Sequence, residues 1–184
     1  IYKNAFASRD LIAKKYETFV KSEKTTVNAK TLYPYEVVAQ AVAVKDRWGY
    51  NFGQLSDVDR AAIEKYWNNL PDYLNGADCK MMCVVDTSGS MTGSEASAPL
   101  NVAISLGMYC AERIGGPFKN HYISFSSRPQ LIKIEGVDFV DKVRRIYKTN
   151  LCSNTNIEAT FDLLLKIATN PATKAEDIPE TIVI

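Results

Sequence analysis

The segment that most limits the fold is Lys80-Met81-Met82-Cys83-Val84-Val85, which runs straight into Asp86-Thr87-Ser88-Gly89-Ser90-Met91. A short, almost wholly apolar run bounded by turn-forming residues reads as a strand buried on both faces, the signature of a parallel sheet. Such a strand needs helices packed on either side of it, so the chain is directed toward an α/β architecture.

The segments after this strand agree. Pro99–Ile114 carries Val102, Ile104, Leu106, Met108 and Tyr109 and reads as a helix ended by Gly115-Gly116-Pro117. His121–Phe125 and Gln130–Ile134 are strands, and the link Ser126-Ser127-Arg128-Pro129 is too short for a helical crossover. These two strands are therefore expected to be antiparallel neighbours. Phe139–Tyr147 and Thr155–Ala168 read as helices, and Thr181–Ile184 as a fourth strand. The predicted order is β-α-β-β-α-α-β in an open, mostly parallel, Rossmann-like sheet.

Residues 1–77 have a different period. Leu11, Ile12, Tyr16, Phe19 and Val20 share one face of a helix over 8–22. Pro34 opens a second helix through Lys45, and Ser56-Asp57-Val58-Asp59 precedes a third over 61–70. The sequence thus divides into an all-α segment, 1–77, and an α/β domain, 78–184. Ile1 in place of Met, and a final strand with no turn after it, lead to the expectation of a piece of a longer protein cut after the fourth strand.

Charge excludes some functions. The 184 residues hold 22 Lys and Arg against 21 Asp and Glu, so the chain as a whole is not a charge-driven binder of nucleic acid or membrane surface. No apolar run reaches the roughly 18 residues of a membrane span. Cys79, Cys83, Cys110 and Cys152 form no C-x-x-C pair, fit no common zinc spacing, and suit a reducing compartment. His121 has no second histidine to join it in a metal site or triad.

The chemistry is concentrated in the loop after the first strand. Asp86, Ser88 and Ser90 offer a carboxylate and two hydroxyls at alternate positions, and Gly89 is expected to supply the tight turn that aims them at one point. Oxygen donors of this kind suit a hard divalent cation such as Mg²⁺. Asp-Thr-Ser-Gly-Ser is also a favourable solvated turn, but its place after a buried strand favours a ligand site.

The D-x-S-x-S pattern closely resembles the metal-ion-dependent adhesion site of von Willebrand factor A domains. The resemblance implies that Asp86, Ser88 and Ser90 hold Mg²⁺, or Mn²⁺ or Ca²⁺ in its place, with Thr155 contributed by the Cys152–Asn156 loop. It also implies a further Asp just beyond Ile184. Thr155 followed by Glu158 equally forms a capping-box pattern, so capping and metal contact both stand for it. Asn154 and Asn156 are candidate ligand-binding residues beside Gly89, although such residues are common in plain loops. The helical segment followed by V-D-T-S-G-S-M, S-N-T-N and F-D-L-L-L is similar to an uncharacterised bacterial and plant family related to TROVE-type Ro RNA-binding proteins. That likeness implies a cytoplasmic protein with a protein or RNA ligand.

Catalysis is not expected. A haloacid-dehalogenase-type phosphotransferase needs a second acid where Ser88 stands, and Ser cannot act as a general acid near neutral pH. An aspartic protease needs two D-[ST]-G loops, and an α/β-hydrolase elbow needs Gly where Asp86 stands. The function expected is therefore metal-dependent binding of an acidic side chain from a partner protein, with neither DNA nor membrane involved. RNA binding by the helical segment is the alternative, and a metal-dependent phosphotransferase or hydrolase is a more distant one. Lys142, Arg144, Arg145 and Lys148, with the N-terminal lysines, read first as a solvated face. Tyr33, Tyr35, Trp48, Tyr50 and Phe52 read first as core, with base stacking as the rival role.

Overall fold

Among the described residues the strands are β1 (Met81–Asp86), β2 (His121–Phe125), β3 (Leu131–Lys133) and β4 (Thr181–Val183). In the computed structural model, which describes residues 9–43, 52–75, 80–93, 95, 98–149, 154 and 156–184, they form one sheet in the order β3-β2-β1-β4. β1 pairs in parallel with both β2 and β4, whereas β2 and β3 are antiparallel. The predicted α/β class, the mostly parallel sheet and the antiparallel pair are all present.

Among the described residues the helices are α1 (Asp10–Lys21), α2 (Pro34–Val42), α3 (Asp57–Asn68), α4 (Pro99–Arg113), α5 (Phe139–Thr149) and α6 (Ile157–Ala168). α2 opens with Pro at its first position, where a missing N–H costs nothing, and ends at Ala43 in a left-handed conformation with φ 45°. α3 begins at Asp57, earlier than the apolar spacing suggests, because Ser56 and Asp59 close a capping box. Ser56 Oγ accepts the Asp59 N–H, and Asp59 Oδ2 accepts the Ser56 N–H, both at 3.2 Å.

Alternation along β1 sorts the two faces. Cys83 and Val85 meet Gly107 of α4, while Met82 and Val84 pack with Ile123, Phe118 and Leu163 and Leu164 of α6. α4 and α5 cover the first face and α6 the second. The main core lies on the α4–α5 side and joins Val85, Leu100, Ile104, Met108, Tyr122, Phe139 and Val143 to Val37, Val38, Val42, Ile63 and Trp67 of α2 and α3. The helical segment therefore shares its core with the sheet's own helices.

Trp67 is the centre of that seam. Its ring stacks on Phe139 with centroids 4.4 Å apart, and its indole N–H donates to Glu112 Oε2 at 2.7 Å. Arg60 adds a bidentate pair with Asp138, at 2.6 and 2.7 Å. α1 is peripheral: of its predicted apolar face Val20 is buried, whereas Leu11 and Phe19 remain exposed. No described helix is long and apolar enough to cross a membrane.

Candidate functional site

At Asp86 the chain leaves the sheet through Thr87 and Ser88 into one 3-10 turn, Gly89–Met91. This is the carboxyl end of the strand at which the sheet's order reverses, with β2 on one side and β4 on the other. Open α/β sheets leave a ligand crevice at that switch point.

Within the loop, Asp86 Oδ1 accepts the Ser88 N–H at 2.8 Å. This Asx turn holds the carboxylate against the loop by one oxygen and leaves the other to a ligand. The Ser88 and Ser90 hydroxyl oxygens lie 3.0 Å apart. Two neighbouring ligands of an octahedral Mg²⁺, each about 2.1 Å from the ion, would be separated by about 3.0 Å, which is √2 times the bond length. The two hydroxyls are hydrogen-bonded to each other at that distance, a spacing that adjacent ligands on a small hard cation would share, and the all-oxygen donor set suits such an ion.

The turn is closed by Met91 N–H to Ser88 O at 3.0 Å and Thr92 Oγ1 to Gly89 O at 2.7 Å. Met91 then packs against the main core and anchors the loop's far end. Gly89 does not supply the conformational freedom expected of it. Its φ is not in the left-handed region, and a Cβ built on it meets nothing within 4 Å, so the turn does not require glycine.

Of the second predicted loop, Asn154 and Asn156 are among the described residues. Thr155 lies outside the described residues. The cap of α6 is Asn156, whose Oδ1 accepts the Ala159 N–H at 3.0 Å, so the capping expected of Thr155 is performed one residue later. Asn156 is committed to that helix end, and Asn154 is exposed with a polar interaction of its own.

Several polar residues missed in the sequence support the loop. Asn101, buried in apolar α4, donates its amide to Glu95 O at 3.1 Å and accepts a hydrogen bond from the Tyr147 hydroxyl. Burial raises the Tyr147 pKa well above the ordinary tyrosine value, so it stays a donor. An amide in a helix's apolar stripe was the available signal. The register that sets Asp86 opposite Phe125 also brings Ser126 and Ser127 to the same sheet edge as Thr87 and Ser88. The doublet Ser126-Ser127 directly after a strand was readable as a second hydroxyl pair.

Other candidates are spent elsewhere. His121 begins β2, four residues and about 13 Å of strand from the carboxyl edge, with Nδ1 beside Lys119 O at 2.8 Å. Lys142 pairs with Glu112 and Arg145 with Asp141, while Arg144 donates to Ala41 O and Gly53 O. Of the basic cluster on α5, Arg144 thus reaches the helical segment, whereas Lys142 and Arg145 bond within the α/β part. Phe52 packs edge-on against Tyr147, whereas Tyr33, expected in the core, is 61% exposed and stacks on Tyr35. Trp48 and Tyr50 lie outside the described residues.

Residues 80–184, from the start of β1 through β4, match the family described as a domain of unknown function, DUF7788. The chain belongs to this family. The DUF7788 match contains the whole sheet and the Asp86–Ser90 loop, and α1–α3 precede it. An uncharacterized protein of Acanthamoeba polyphaga mimivirus is 32% identical over 170 residues, which are 92% of this chain and 27% of that protein. The DUF7788 chain therefore spans about a quarter of that relative's length. No solved structure matches.

Proposed function

We propose that this chain is a binding module of the von Willebrand A type. In this reading Asp86, Ser88 and Ser90 hold Mg²⁺, with Thr155 as a further ligand, and an acidic side chain of a partner protein completes the coordination. The observation that carries the reading is the 3.0 Å hydroxyl pair, placed beside a carboxylate at the sheet's switch point. The order β3-β2-β1-β4 with β3 antiparallel also supports the likeness. A cation held there would carry charge that few protein groups neutralise, and would so attract a carboxylate. The chain's own residues position it: Asp86 contributes the one negative charge, Ser88 and Ser90 the neutral donors, and Asn101 holds the outer loop.

Binding without catalysis is supported by the place of His121, at the end of β2 away from the loop. The RNA alternative rests on the helical segment and its lysines; Lys142, Arg144 and Arg145 of α5 bond within the protein and add nothing to it.

The test is thermal unfolding of the wild type and Asp86→Ala with and without Mg²⁺. At ten times the dissociation constant a native-state ligand adds about 1.4 kcal/mol. For a chain of this size that raises Tm by about 3 to 6 °C. The wild type is expected to show this shift and Asp86→Ala to lose it. Equal responses in the two proteins would refute the metal assignment.

A further inference from the structure

We propose that the cavity between β3 and α5 binds a small phosphomonoester, its phosphate held by basic residues of the cavity wall and by the Tyr122 hydroxyl. Alternation along β2 sends Ile123 to the α6 face and Tyr122 to the α5 face. Ile132, the register partner of Tyr122 on β3, faces the same way. On another of its faces α5 is tied to the helical segment by Arg144. Between α5 and the short edge strand β3 lies a cavity of about 320 Å³. Small-molecule sites run from about 300 to 1,000 Å³.

The observation that points to a ligand is Tyr122, which lines this cavity. It is 1% exposed, and its hydroxyl has no hydrogen-bond partner among the described residues. Thr149, beside it in the cavity wall, turns its own hydroxyl to Arg145 O and Ile146 O, at 2.7 and 3.0 Å. A buried donor left unpaired is costly, and native structures rarely keep one without a water, an ion or a ligand to satisfy it. Burial pushes the Tyr122 phenol up to about 12, so it keeps its proton and requires an acceptor.

The groups around it select the acceptor's charge. Lys133, Lys142, Arg145 and Lys148 line the cavity, against Glu135 as its one lining acid among the described residues. Lys142 is matched by Glu112, but Lys133–Glu135 and Arg145–Asp141 are more exposed pairs that hold weakly and can turn to a ligand. Lys148 has no acidic partner among the described residues and rests over the Phe52 ring, 5.6 Å from its centre. Arginine, lysine and a neutral hydroxyl donor together suit a phosphate. Ile132, Ile134 and Ile146 form an apolar wall, which suits the organic part of a monoester better than water. None of these residues belongs to the Asp86–Ser90 loop, so the site stands or falls apart from the metal reading.

The test is calorimetric titration of the chain with phenyl phosphate and with inorganic phosphate, in a chelator and at constant ionic strength. Phenyl phosphate is expected to bind the wild type more tightly than inorganic phosphate does. Tyr122→Phe deletes an unpaired hydroxyl, so it is expected to unfold no earlier than the wild type. It is also expected to bind phenyl phosphate about tenfold more weakly. Lys148→Gln, at an exposed position, is expected to weaken binding as well. Absence of phenyl phosphate binding to the wild type, or unchanged affinity in either variant, would overturn the proposal. So would inorganic phosphate binding as tightly as the monoester, or a Tyr122→Phe protein that unfolds at lower temperature, since its hydroxyl would then already be satisfied.

Discussion

Gly107→Ala sets two ordinary effects against each other, and the structure decides which wins. In the interior of α4, alanine gains about 1 kcal/mol over glycine from helix propensity. The new Cβ, however, would stand 2.4 Å from Val85 Cγ2, where carbon atoms in contact sit about 3.5 to 4.0 Å apart. Relief requires more than an ångström of movement. Val85 is 3% exposed and β-branched, so rotating χ1 replaces one methyl by the other or by a single hydrogen, and little space surrounds it. Overpacking of a tight core costs about 1 to 3 kcal/mol after relaxation, and a contact this short belongs at the upper end. The net expectation is destabilisation by about 1 to 2 kcal/mol, or a fall in Tm of about 2 to 8 °C. Urea unfolding followed by circular dichroism measures it. Val85→Ala removes the opposing methyls, so the double variant is expected to be more stable than the sum of the single effects predicts. A stabilised Gly107→Ala, or strictly additive variants, would refute the close-approach argument.

Trp67→Ala is expected to cost about 3 to 5 kcal/mol, because it removes a buried ring stacked on Phe139 and the donor to Glu112. Calorimetry is expected to show one transition shifted down; a second, unshifted transition would show that the helical segment folds apart from the sheet. Glu64→Gln tests a carboxyl whose pKa burial, with the nearby Asp138 charge, raises above its ordinary value. The folded state binds that proton more tightly, so Glu64 costs stability as pH rises from the ordinary value through the raised one. The substitution is therefore expected to raise Tm at pH 7 and to lose that gain below the ordinary carboxylate range. An equal gain at both pH values would refute the titration.

What the sequence revealed followed from period and length. Met81–Val85 is too apolar to be anything but buried, and the four-residue link before Gln130 admits no crossover helix, so the parallel and antiparallel pairings were both readable. The loop was readable from the sequence because Asp86, Ser88 and Ser90 are alternate residues of one short segment. Long-range partners were not. Nothing local says that Arg144 spans to Ala41 and Gly53, or that Lys142 is matched by Glu112. A basic cluster therefore looked like solvated surface when part of it is a clasp. The Gly89 expectation failed in the opposite sense: a glycine in a motif suggested a forced conformation, and the 3-10 turn adopted there suits any small residue.

Preorganisation of the loop is where these long-range contacts bear on binding. Three short side-chain donors capture a cation only if their loop does not have to be ordered at the moment of binding, since each freely moving residue would cost about 1 to 2 kcal/mol. Here the near end is fixed by the pairing of Val84–Asp86 with β2 and the turn by its own hydrogen bonds. The far end is fixed at a distance. Met91 is packed against the core, and Glu95 is held by Asn101, which Tyr147 of α5 holds in turn. α5 is itself clasped to α2 and to Gly53 by Arg144. The helical segment therefore steadies the switch-point loop through α5, which bonds to α2 and Gly53 by Arg144 and to Asn101 by Tyr147, and through a shared core. Rigidity at the site and the presence of the helices ahead of the sheet are, on this argument, one physical fact.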